Sequence, residues 1–182
     1  AFSCQIPLIF FLIKIFIFIF YIIIMALIMG IDDSGRGPLI GPMILAGVLI
    51  TKQQEELFKK SKITDSKLLP HPARIKMSKL IRENSIKYKI VKTYPQKIDE
   101  FVSSGKNLNT LEAVNTAEII NSLNNKRDKI KVIVDCPSLN KIKWLGTLTK
   151  FVEHAENLEL LCEHKADLNH ISVTAASILA KV

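Results

Sequence analysis

From Leu27 to Ile50 the sequence describes two apolar runs joined by a segment that can only turn, and this pair constrains everything around it. Leu27-Ile-Met-Gly-Ile-Asp32 is apolar up to its carboxylate, the pattern of a buried central strand that delivers an acid to its end. Ser34-Gly-Arg-Gly-Pro38 follows, and its glycines and proline break helix and strand alike. Met43-Ile-Leu-Ala-Gly-Val-Leu-Ile50 is then a second apolar strand, and so short a connection predicts an antiparallel hairpin.

Downstream, the apolar periods alternate between helix and strand. A short helix is expected over Glu55 to Lys60, a loop around Thr64 to Lys67, and an amphipathic helix from Pro72 through Ile75, Leu80 and Ile81. Ile86 to Tyr94 alternates as a strand with one wet face. Leu108 to Leu123 has helical spacing at Leu111, Val114, Ala117 and Ile120, with Asn109 or Thr110 as cap and Glu112 inside the first turn. Lys131 to Asp135 is another buried strand ending in a carboxylate. Leu139 to Ala155 is helical in part, and Leu158 to Cys162 is a last strand leading to Asp167. Val173 to Val182 closes the chain as a helix with small residues on one side and Ile178, Leu179 and Val182 as an apolar stripe. Together these elements predict an α/β fold, a mixed sheet flanked by helices.

The 182 residues suit one such domain. Residues 8–24 stand apart as an almost purely apolar run with one lysine and no acid. Read literally this is a membrane span or signal segment. Residues 1–24 are expected to be upstream read-through, because Phe, Ile, Lys and Tyr are what AT-rich codons specify; Met25 or Met29 is then the start, and residues 25–182 are the folded domain. A membrane anchor is the alternative. The final helix lacks a cap or Gly/Pro terminator, so the domain is expected to continue beyond Val182. A net charge of +8 favours polyanionic partners such as nucleic acid or an anionic membrane surface. Cys4, Cys136 and Cys162 form neither a disulfide framework nor a zinc-type spacing, which suits a reducing cytoplasm.

Three strand ends therefore present carboxylates, near Asp32 (with Asp33 in tandem), Asp135 and Asp167. Converging at one sheet edge, such acids would repel unless cations lay among them, and hard oxygen ligands suit Mg²⁺ or Mn²⁺. Each acid also has an ordinary reading. Asp32 or Asp33 can serve an Asx-turn or cap a helix, Asp135 can simply end a strand, and Asp167 can be a surface loop acid or the cap of the final helix.

Gly30-Ile-Asp-Asp-Ser-Gly-Arg-Gly-Pro-Leu-Ile-Gly-Pro42 resembles the opening motif of ribonuclease HII, written G-[IV]-D-E-A-G-R-G-P-x-x-G-P. Further blocks similar to that family follow in its order: Asp65-Ser-Lys67, Asn107-Leu-Asn109 leading into a helix with Glu112, Val134-Asp-Cys-Pro137, Glu163-His-Lys-Ala-Asp167, and Ser172 to Val182. The Asn-Leu-Asn segment and the loop after Asp135 resemble the archaeal branch.

The resemblance implies a ribonuclease H-like mixed β-sheet and an endonuclease that cuts RNA/DNA hybrids and ribonucleotides embedded in duplex DNA. It implies two ions, Mg²⁺ or Mn²⁺, held by Asp32, Asp33, Asp135 and Asp167, with Asp32 bridging them. Cleavage on the 5′ side of a ribonucleotide would leave 5′-phosphate and 3′-hydroxyl ends. Gly35, Arg36 and Gly37 correspond to the family's sensor of the RNA–DNA junction; glycines let backbone groups approach a ribose 2′-hydroxyl, and Arg36 adds a charge for phosphate or, more plainly, braces the turn. Ser66 and Lys67 match a motif near the nucleic-acid backbone. His164 reads as a structural histidine rather than a proton shuttle. A monomer working in the cytoplasm in DNA replication and repair is implied, with membrane association not expected. Two departures stand out: Asp33 occupies the place of the usual Glu, and Ser34 that of Ala. With the expected loss of the C-terminal part, they leave a second reading, a nucleic-acid-binding protein of the same fold with impaired catalysis.

Overall fold

Leu27–Ser34 (β1) and Met43–Thr51 (β2) pair antiparallel, Asp32 opposite Ala46 and Asp33 opposite Leu45. The computed structural model describes residues 27–34, 41–63 and 69–182. Lys87–Thr93 (β3) extends the hairpin antiparallel on the β2 side. On the other side of β1, Ile130–Asp135 (β4) and Leu158–Glu163 (β5) continue as parallel neighbours. The strand order is β3-β2-β1-β4-β5, so the acid-bearing strand is central, as its apolar run predicts.

Helices cover both faces. Pro95–Ser103 (α3), Leu108–Leu123 (α4) and Lys141–Leu148 (α5) lie on the side where Met29, Ile31, Leu45, Val132 and Val134 meet Ile119, Ile120 and Trp144. Lys52–Lys60 (α1), His71–Asn84 (α2) and Ile171–Ala180 (α7) lie on the other, where Ala46, Val48 and Ile50 meet Phe58, Ile81, Ile178 and Leu179. The short Ala166–Asn169 (α6) precedes α7. Among the described residues no helix is long and apolar enough to cross a membrane; residues 8–24 lie outside them, as does the loop around Thr64 to Lys67.

Local chemistry explains where these elements depart from the sequence reading. α1 begins at Lys52 rather than Glu55, because the Gln54 N–H donates to Thr51 Oγ1 (3.2 Å) while the Thr51 N–H donates to Gln54 Oε1 (2.9 Å), a reciprocal capping box. Thr51→Ala is expected to cost about 1 kcal/mol, lowering the thermal midpoint by about 3 °C in a melting experiment. α4 is capped by Asn107, not by Asn109 or Thr110: the Thr110 N–H donates to Asn107 Oδ1 at 2.9 Å, so Glu112 falls beyond the first turn. α3 was not expected; Pro95 at its start has no amide to lose there. Within Leu139 to Ala155 the α-helix is confined to α5, whose Lys143 N–H donates to Asn140 Oδ1 at 2.9 Å.

The last helix differs most. Instead of one apolar stripe, α7 is buried at every position from Ser172 to Ala180, and Val182 lies past its end, 47% exposed. A helix enclosed on all sides needs small residues where it meets the sheet. A Cβ on Gly30 would stand 2.1 Å from the Ser172 carbonyl carbon, so α7 rests on β1 backbone to backbone. On the opposite face a Cβ on Gly47 would meet Ile119 Cγ2 at 2.2 Å, where α4 crosses β2.

Candidate active site

Because β1, β4 and β5 run parallel, their carboxyl ends share one sheet edge, where crevices form in α/β sheets. Ile31 pairs with Val134, and Asp32 and Asp135 are the next residues on their strands. Asp135 in turn pairs with Glu163 at the end of β5. The topology thus gathers Asp32, Asp33 and Asp135, which the linear sequence separates by a hundred positions.

The pleat turns Asp32 to the same face as Gly30, beneath α7. From the Gly30–Ser172 contact, two strand residues advance about 6.6 Å and five helix residues about 7.5 Å. Helix and strand keep pace, so Ser177 arrives over Asp32 and hydrogen-bonds its carboxyl group. Lys181, one turn further on, places Nζ 3.9 Å from Asp32 Oδ2 and 2.5 Å from Ser177 Oγ. The Asp33 N–H donates to Asp32 Oδ1 at 2.7 Å. Burial is the main cause that pushes the Asp32 carboxyl up from 3.8 to about 7; the Ser177 hydrogen bond and the Lys181 charge oppose it, while Asp33 and Asp135 add to it. Asp32 is 5% exposed and lies within β1 under a helix, an environment unlike that of a turn-making Asx residue.

Asp135 is half-buried and does end its strand; its Oδ1 accepts the Ala166 N–H at 2.9 Å. That bond ties the start of α6 to β4, and Asp167 is the next residue along. Asp167 is neither a surface loop acid nor the cap of the final helix: it is 6% exposed in the first turn of α6, and His170 precedes α7. Three contacts fix this joint. Thr174 Oγ1 lies 2.5 Å from the Asp167 carbonyl and 3.0 Å from that of His170, and His170 Nε2 pairs with Glu163 Oε2 at 2.8 Å.

His164 Nδ1 lies 3.3 Å from the Cys136 carbonyl, a structural contact. Cys136 and Cys162 are free and buried, and burial, together with a hydrogen bond in which the Cys162 thiol donates to Cys136, pushes the Cys162 thiol well above its usual range. Such a thiol is a poor nucleophile or metal ligand at neutral pH. Gly35, Arg36, Gly37, Ser66 and Lys67 lie outside the described residues.

Among the described residues, no group of three or more His, Cys, Asp or Glu side chains stands close enough to hold a metal ion. What the edge offers is donor chemistry. The carboxylates of Asp33 and Asp135 both act on that of Asp32 there, and the buried Asp32 has a raised proton affinity that a hard cation would relieve. In that chemical sense the residues fit a divalent ion with oxygen ligands.

The sequence reading gave no role to Ser177, Lys181, Glu163 or His170. Ser177 and Lys181 did carry a signal, since polar residues four apart share one helical face. The Glu163–His170 pair carried none, because only the return of the chain through α6 brings the two together.

Comparison with known proteins gives a consistent result. The Ribonuclease HII family description matches residues 29–182. A curated ribonuclease HII from Methanobrevibacter smithii is 32% identical over 154 residues, covering 85% of this chain and 70% of that protein. Ribonuclease H2 from Pyrococcus horikoshii superposes with a TM-score of 0.75 at 29% identity, over 86% of this chain and 71% of that one. The ribonuclease HII solved in a PCNA complex from Archaeoglobus fulgidus gives 0.74 at 31% identity, with the same coverages.

Proposed function

This chain belongs to the ribonuclease HII family of ribonucleases H, and from that premise we propose that it hydrolyses the RNA strand of RNA/DNA hybrids and ribonucleotides embedded in duplex DNA. Cleavage falls on the 5′ side of a ribonucleotide and leaves 5′-phosphate and 3′-hydroxyl ends. The observation that carries this reading is the parallel pairing of β1 with β4, which brings Asp135 within electrostatic reach of Asp32.

Asp32, Asp33, Asp135 and Asp167 would hold Mg²⁺ or Mn²⁺, two ions in all. Bound there, the ions supply charge neutralisation at the scissile phosphate and a lowered pKa for the attacking water. The chain's own residues do the rest. Ser177 orients the Asp32 carboxyl group, the Ala166 N–H orients that of Asp135, and the Thr174 and His170 contacts keep α6, and with it Asp167, against the edge. Exposed Lys141, Lys143 and Lys165, all in segments following β4 and β5, give a polyanionic duplex its counter-charges. The Gly35-Arg36-Gly37 turn would read the 2′-hydroxyl and Ser66-Lys67 the backbone. Asp33, one methylene shorter than glutamate, shifts metal preference rather than abolishing activity.

Asp135→Asn and Asp167→Asn are each expected to lower the cleavage rate on a hybrid by on the order of a hundredfold or more, with hybrid binding kept in a mobility-shift assay. Full cutting by either variant would remove that residue from the site.

A further inference from the structure

Lys181 is not a surface lysine that happens to lie near an acid. Its side chain is 17% exposed, and its carrier α7 meets β1 backbone to backbone at Gly30. The ammonium group hydrogen-bonds Ser177 Oγ at 2.5 Å and stands 3.9 Å from Asp32 Oδ2. At that separation it acts on Asp32 through charge, not through a direct hydrogen bond. The arrangement has two consequences. A buried carboxylate beside two other acids is given a cation by the protein itself. That cation can also be displaced without breaking a bond to Asp32, and it can remain on Ser177 near the C-terminal end of α7, where the helix dipole favours positive charge.

We propose that Lys181 is the resident counter-cation of Asp32, a charge that an incoming divalent ion must displace, so that this lysine sets the metal affinity of the site. The proposal rests on the reading of Asp32 as a metal ligand. It makes Lys181 a positioning and tuning residue, separate from the acids that hold the ion.

The test uses the full chain, freed of metal with a chelator and titrated with Mn²⁺ by calorimetry. Lys181→Gln is expected to bind Mn²⁺ on the order of tenfold more tightly than the wild type, because a like charge a few ångströms away has gone; Lys181→Arg should bind as the wild type does. Without metal, Lys181→Gln should melt about 3 °C lower, and that difference should vanish in an Asp32→Asn background, where no carboxylate remains to neutralise. Equal or weaker Mn²⁺ binding by Lys181→Gln, or the same melting loss in both backgrounds, overturns the proposal by showing that Lys181 acts through packing. If the wild type itself takes up no Mn²⁺, the failure lies with the assignment of Asp32, and the titration separates the two cases.

Discussion

An Asp32→Asn protein is expected to lose cleavage by at least about three orders of magnitude, roughly 4 kcal/mol of barrier, and yet to melt higher than the wild type when both are stripped of metal. The two effects share one cause. The position that would bind a cation most strongly is the one where burial of a carboxylate, offset only in part by Ser177 and Lys181, costs most. With the Asp32 carboxyl raised from 3.8 to about 7, the folded chain binds more protons than the unfolded chain between those values. This contribution is therefore intact below the unfolded value, declines as pH rises through the window, and is fully lost above about pH 7. The span corresponds to about 4 kcal/mol as an order of magnitude. The melting advantage of Asp32→Asn should accordingly grow from pH 4 to pH 7 and level off beyond, and saturating Mn²⁺ should reverse it. An advantage that stays flat across that range would contradict the burial argument.

The second large effect is expected from Gly30→Ala. Its new methyl group would enter the Ser172 peptide, with the Ser172 carbonyl oxygen at 2.3 Å and the Val173 nitrogen at 2.4 Å as well as the carbonyl carbon. Backbone on both sides cannot give way by a rotamer change. A loss of about 3 kcal/mol or more is expected, with the thermal midpoint falling by about 10 °C. Any molecules that remain folded should also cut poorly, since the same contact brings Ser177 and Lys181 to Asp32. Gly47→Ala should be milder, because its nearest obstacle is the Ile119 side chain and not a peptide group. Equal melting losses for the two variants would mean that the β1–α7 contact is not the rigid element described here.

The sheet was legible because its strands are apolar runs bounded by breakers: Leu27 to Asp32, Met43 to Ile50 and Lys131 to Asp135 each stood out, and each appears within one or two residues. α3 was not legible, since Pro95 directly after a strand reads as a stop until it is seen at a helix start. Asn107 was passed over as a cap because Asn109 and Thr110 are equally good caps by composition; only the three-residue reach to the Thr110 amide distinguishes them. At the site, the residues that could be named carry acids at strand ends. Ser177 and Lys181 stayed hidden because their importance depends on the advance of α7 along β1, a property of packing. Asp167, placed in the acid set by resemblance, also admitted the plainer readings of a surface loop acid or a helix cap, because nothing local shows that α6 folds it inward.

The proposed cleavage can be read by incubating the full chain with a duplex that contains one ribonucleotide, with Mn²⁺ or with a chelator, and resolving the ends of the products. A single cut 5′ to the ribonucleotide, with a 5′-phosphate and a 3′-hydroxyl, is expected only in the presence of metal. Tight binding of the duplex without a cut at any Mn²⁺ concentration, or a cut of equal rate in the chelator, would contradict it.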